Sequence, residues 1–86
     1  MLRITPVAES PTLVMLKLEG RLVSDWVSLL EQECLTLLRD HPTVLLDFAE
    51  VTFVDRRGVE LLRRIASDRL RIVNASALIT GLLEGD

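Results

Sequence analysis

Along this chain the apolar residues change period, from two to about 3.6 and back, and that alternation restricts the fold more than any other feature. From Thr12 to Glu19, Val14, Leu16 and Leu18 alternate with Leu13, Met15 and Lys17. An extended strand with one well-buried side is the expected result, and Gly20 is read as its end. The period then lengthens. Val27, Leu30, Cys34, Leu37 and Leu38 form a helical stripe, with Glu31, Glu33, Arg39 and Asp40 mostly off it. Ser24 and Asp25 are the N-cap candidates of this helix, which should run to about Arg39 and break at His41-Pro42.

The pattern repeats. Thr43 to Phe48 is a short apolar run suited to a buried central strand, and Val51 to Val54 leads into Asp55, a second N-cap candidate. Arg56 to Ser67 reads as a helix that buries Val59, Leu62, Ile65 and Ala66. Arg69 to Val73 reads as a strand with Leu70 and Ile72 on one face. Asn74-Ala75-Ser76 caps a last helix through about Leu83, and Gly85 ends it. Before all of this, Leu2, Ile4 and Thr5 suggest a short first strand. Pro6 lacks the N–H that a ladder needs, which places that strand near a sheet edge, and Ser10-Pro11 marks a turn. The predicted order is β-β-α-β-α-β-α. Strands alternating with helices make an α/β fold with a mixed, partly parallel central sheet.

Eighty-six residues make one domain. A chain of this size buries about 60–65% of the surface it exposes when unfolded, so a deep closed cleft is not expected. Aromatic residues are 3% and Tyr is absent, so platforms for stacking bases are scarce. The net charge of −3 also argues against nucleic acid, whose binders carry a basic footprint. That charge is unevenly spread: residues 55–71 hold six Arg against Asp55, Glu60 and Asp68, a local excess of three positive charges.

Screens for chemistry return little. There is no G-x-G-x-x-G, no G-x-x-x-x-G-K-S/T, no H-E-x-x-H and no C-x-x-C. No cofactor, metal or catalytic group is therefore expected. Cys34, the lone cysteine, is read as an inert core thiol. His41 is read as a solvated residue at a helix C-terminus, where its charge would suit the dipole. Trp26 is read as packing beside the helical stripe, with an exposed anchor for a partner as the alternative. Asp47 is taken to end a strand and Glu50 to follow in a turn. The pair lacks a third group for acid–base work. No signal peptide is legible and no apolar run approaches the roughly 18 residues that span a bilayer, so a cytoplasmic protein without membrane insertion is expected.

The informative segment is Phe53-Val-Asp-Arg-Arg-Gly-Val59. Asp55 should cap the helix amides, and Gly58 should permit a close approach by backbone or by a partner. Arg56 and Arg57 oppose the helix dipole by about 0.3–1 kcal/mol each when exposed, so folding does not ask for them. Glu60 can offset Arg56 and pair with Arg64 at i, i+4 spacing.

Three stretches together resemble the STAS domain family, the anti-sigma-factor antagonists of bacteria. Leu18-Glu-Gly-Arg-Leu22 resembles its L-x-G-x-L. Leu45-Leu-Asp-Phe-Ala-Glu-Val-Thr-Phe-Val-Asp55 resembles its D-L/F-x-x-V-x-F-I/V-D stretch, and Gly58-Val-Glu-Leu-Leu62 its following G-L-x-x-L. The likeness runs over about residues 12–84. It implies a STAS-like sheet with helices mainly on one face, and a chain (1–86) that stops short of the final strand and helix of many members. It also implies a non-catalytic signalling role in transcription regulation, through a GHKL-type serine kinase that doubles as anti-sigma factor. Other members serve ABC-type lipid transport ATPases. The family's usual D-S-S-G is here Asp55-Arg56-Arg57-Gly58. Arginine accepts no phosphoryl group, so the serine switch is absent at this motif, and Thr52 and Ser67 are the weak substitutes. The expected partner face is Asp55, Arg56, Arg57, Gly58, Glu60, Arg63 and Arg64. A small anion or nucleotide at Arg56 and Arg57 is the alternative occupant, and a homodimer is open to the chain as well.

Overall fold

The computed structural model describes residues 1–84. The elements are β1 (Leu2–Glu9), β2 (Leu13–Leu22), α1 (Asp25–Asp40), β3 (Thr43–Val54), α2 (Arg56–Ile65), β4 (Leu70–Val73) and α3 (Ala77–Glu84). The order is the predicted one. The expected stop at Gly85 lies outside the described residues. The sheet runs β1-β2-β3-β4, with β1 antiparallel to β2 and the other two pairings parallel. β1 and its Pro6 occupy an edge, as the missing N–H requires.

Strand order explains where the helices lie. The crossovers β2-α1-β3 and β3-α2-β4 both step the same way across the sheet, and parallel crossovers share one hand. Two such steps put both helices on the same face. Val14, Leu16 and Leu18 of β2 and Val44, Leu46 and Phe48 of β3 point into that layer. There they meet Val27, Leu30 and Cys34 of α1, Leu61 and Leu62 of α2, and Ile79 of α3 in one core. Burial pushes the Cys34 thiol up to about 12, which makes it inert as expected. Trp26 packs against the rim of the core.

Several sequence readings change at places where distant parts of the chain meet. Gly20 does not end β2. It adopts φ 107° inside the strand, at a register shift against β3, where a Cβ would run into the Met1 carbonyl oxygen. Asp47 and Glu50 do not mark a strand end and a turn. β3 continues unbroken, and a bulge absorbs the irregularity: Lys17 lies opposite Asp47, but Glu19 opposite Glu50. Asp47 Oδ1 fixes that bulge by accepting from the Ala49 amide (3.0 Å) and from Asn74 Nδ2 (3.1 Å). These bonds, the amide first, hold its carboxyl below the usual carboxylate range.

α2 ends at Ile65 rather than Ser67. The Ser67 hydroxyl accepts from the Arg69 and Leu70 amides, and the Ser67 amide donates to Leu70, which draws both groups out of the helix. Its buried stripe is also wider than read. Leu61 is buried, because α3 covers α2 from the side, while Ala66 is exposed. Ser76 does cap α3, accepting from Ile79 N at 3.2 Å. Ser24 holds the N-cap position of α1 at φ 54°, but its hydroxyl makes no cap bond.

His41 is buried, not solvated, at 9% exposure. Nδ1 faces Leu37 O and Nε2 faces Glu9 Oε2, each at 3.2 Å. The end of β1, distant in sequence, supplies the carboxylate that covers it. Beside it the Arg69 guanidinium donates to the carbonyls of Leu38, His41 and Pro42, which closes the C-terminal end of α1. Lysine, with no planar fork, cannot serve three carbonyls in this way. Arg69→Lys should therefore lower stability by about 1–2 kcal/mol, read from a urea unfolding midpoint. An unchanged midpoint would show that the carbonyls are satisfied without the fork.

Candidate functional site

The segment singled out in the sequence lies where β2 and β3 end and α2 begins. The backbone brings the two strand ends together: Arg21 is the register partner of Phe53 and Leu22 of Val54. The Asp55 amide then donates to Leu22 O at 3.1 Å. Asp55 follows in extended conformation and uses both carboxylate oxygens. Oδ1 accepts from Gly58 N at 2.8 Å, the capping bond, and Oδ2 accepts from Ser24 N at 2.9 Å. One side chain thus ties the start of α2 to the start of α1. The Ser24 and Gly58 amides, in that order, together with the nearby Arg57 charge, hold the Asp55 carboxyl below the usual carboxylate range.

Gly58 is buried, and the close approach expected of it is to the protein's own chain, not to a partner. A Cβ here would stand 2.7 Å from Val54 Cγ1 and 3.2 Å from both Leu22 Cγ and Leu22 O. The glycine lets the first turn of α2 lie directly on the strand ends.

Between these two fixed residues stand the cations. Arg56 is 91% exposed and meets Glu60 Oε2 at 3.5 Å across one turn, a weak exposed pair. Among the described residues Arg57 has no carboxylate within ion-pair distance. Arg63 and Arg64 are placed differently. Arg63 donates to the Leu82 and Leu83 carbonyls of α3. Arg64 pairs with Glu31 of α1 at 2.9 Å rather than with Glu60. These two join helices to each other, and the free positive charge concentrates at Arg56 and Arg57.

Two residues of the site escaped the sequence reading as contacts. Phe53 is 46% exposed, and the Arg21 guanidinium lies 5.3 Å from its ring centroid. Their adjacency depends on the register shift between Gly20 and Arg21, which no local pattern announces. The exposed surface at this end thus carries an aromatic ring with Arg21 over it, and Arg56 and Arg57 at the start of the helix that follows. Of the two weak phosphorylation candidates, Thr52 adjoins this surface in β3, whereas Ser67 lies beyond the far end of α2. The exposed Thr52 donates its hydroxyl to Gly20 O at 3.2 Å, and Ser67 serves the turn after α2.

The geometry speaks against an anion bound at the start of α2. The Asp55 carboxylate already occupies the amide that would cradle it and brings a negative charge. The sheet also steps in one direction throughout, so it lacks the switch point at which α/β sheets open a ligand crevice. Among the described residues no group of acidic, His or Cys side chains is placed to hold a metal.

A four-stranded mixed sheet of this order, with helices on one face and an Asp-capped helix following its longest strand, is the STAS-domain fold. The chain superposes on the anti-sigma factor antagonist SpoIIAA, solved in its unphosphorylated form, with TM-score 0.76 and 21% identity, over 95% of this chain and 78% of that one. It also matches an antisigma-factor antagonist STAS domain from Rhodobacter sphaeroides, with TM-score 0.63 and 20% identity, over 88% of this chain and 92% of that one. No family model and no curated protein matches the sequence. No described helix is long and apolar enough to cross a membrane.

Proposed function

We propose that this chain is a non-catalytic protein-interaction module of the anti-sigma-factor-antagonist kind, which binds its partner through the end formed by Arg21, Phe53, Arg56 and Arg57. The observation that carries the reading is a turn fixed from both sides by Asp55 and Gly58 that presents two cations with no structural task. At this place a phosphorylated hydroxyl would add about −1.5 to −2 charges. Here the charge is permanently positive, so the partner surface is acidic and release does not run through phosphate at this motif. A GHKL-type kinase that doubles as anti-sigma factor, in the cytoplasm, is the partner that the fold likeness favours. No cofactor or nucleic acid takes part.

Arg57→Glu should weaken partner binding at least tenfold while leaving the melting temperature within about 2 °C, because the side chain holds nothing within the fold. The check is a pull-down from lysate of the protein's own cells with wild-type and variant bait, the retained protein identified by mass spectrometry. It is followed by an affinity measurement on the purified pair at two salt concentrations. Retention of a kinase by the wild type alone supports the reading, and retention of a transport ATPase moves the chain to a transport complex. Equal binding by both baits would remove this end of the molecule as the docking surface.

A further inference from the structure

We propose that the sheet face opposite the helices is the surface on which two copies of this chain meet. Parallel strands are normally covered on both faces, yet the one-way strand order leaves this face without a helix. Its centre holds Met15 of β2 and Leu45 of β3, which are register partners, with Leu13 and Val73 nearby, all four half-buried, and the exposed Arg71 of β4 beside Leu45. Beside them Lys17 and Asp47, also register partners, set one charge of each sign on neighbouring strands. The two do not form a close ion pair within the chain.

That arrangement is self-complementary. A two-fold axis lying between the sheets, along the strands and midway between β2 and β3, exchanges the places of the two strands in the second copy. Lys17 of each copy then lies over Asp47 of the other, and Met15 over Leu45. Each contact occurs twice, as a symmetric dimer requires. The near-aligned geometry is the ordinary way in which two sheets pack face to face, about 30° apart. A surface carrying charge of one sign would fit a foreign partner of the opposite sign; this one fits itself. Glu19 and Glu50 face each other at one end of the interface, where Arg3, opposite Glu19 in the register, offsets the like charge. The dimer should form in the micromolar range, weaker than a tight complex over a standard interface of roughly 800 Å² per partner.

Sedimentation equilibrium of the full chain, from about 1 to 500 μM, should show the mass rising from 9.7 kDa towards twice that value. Lys17→Asp places a carboxylate over Asp47 of the other copy, and Met15→Lys puts a charge at the centre of the face. Each should raise the dissociation constant at least tenfold, with thermal melts confirming that both variants fold. Mixing Lys17→Asp with Asp47→Lys, each monomeric alone, should restore a dimer, because every facing pair is then of opposite sign. Arg57→Glu, at the far end of the molecule, should leave dimerisation unchanged, so failure here and failure of the proposed docking end are told apart. A mass that stays at 9.7 kDa throughout overturns the proposal. So does a dimer that survives both Lys17→Asp and Met15→Lys, and those two variants decide the matter whether or not Asp47→Lys folds.

Discussion

Gly58→Val should cost the fold about 3 kcal/mol, at the upper end of the penalty for overpacking. The first added carbon would already stand 2.7 Å from Val54 Cγ1 and 3.2 Å from the Leu22 carbonyl oxygen. Val54 is itself buried and branched at Cβ, so it has no free rotamer into which to retreat. A glycine in a helix normally invites replacement, since alanine gains up to about 1 kcal/mol in propensity. Here the contact outweighs that gain, and Gly58→Ala should also destabilise, by about 1 kcal/mol net. For a domain of this size the valine variant should melt at least about 12 °C lower. Circular dichroism melts of the two variants against wild type make the test. A melting temperature that rises with alanine would mean that the strand ends can move aside and that the glycine is a matter of helix propensity alone.

The second large effect belongs to Asp55. Asp55→Ala removes the cap of α2 and also the bond that holds Ser24, a residue at positive φ, against the start of α1. A cap is worth about 1 kcal/mol and reaches 2. With the second amide left unpartnered the loss should be about 2–3 kcal/mol. The charge itself can be separated from the hydrogen bonds by pH. The native carboxyl is held below its ordinary value of 3.8, so the unfolded chain takes up a proton first as the solution is acidified. The stability that Asp55 contributes is therefore complete above that value and is lost progressively below it, towards the lowered native value. Wild-type protein should lose melting temperature as pH falls below about 4, with Asp47 adding to the slope. Asp55→Asn keeps an acceptor for one amide and loses the charge, and should give a flatter profile over the same range. Parallel profiles for the two proteins would show that Asp55 contributes no more acid sensitivity than its replacement.

Much of the fold was legible because its signals are local. The alternation around Leu16, the stripe from Val27 to Leu38, and Asp55 before a helix each occupy one stretch of chain, and each turned out as read. Ser76 belongs with them, since its cap acts three residues away. What could not be read rests on pairs far apart in sequence. His41 looked solvated because its partner, Glu9, is 32 residues away across a strand pairing. β3 looked broken at Asp47 because its bulge is defined only against β2. The same limit applied to the site. Arg56 and Arg57 could be singled out because cations at a helix start oppose the dipole. The tasks of Arg63 and Arg64 depend on α3 and α1, and the neighbourly pairing of Glu60 with Arg64 gave way to a contact with Glu31. Phe53 and Arg21 became one feature only when the register joined them.

The turn between Asp55 and Gly58 separates what holds from what is shown. The frame is made by the two outer residues, through bonds and contacts directed inward, while the side chains at 56 and 57 make none of its hydrogen bonds. Those two positions work like an interchangeable tip on a fixed mount. Hydroxyl, acid or base can be carried there at folding costs that differ by only about 1 kcal/mol through the helix dipole, so the chemistry offered to a partner can be rewritten by point changes that leave the scaffold as it is. A randomised library confined to positions 56 and 57 should consist almost wholly of folded proteins, whereas one at 55 and 58 should not.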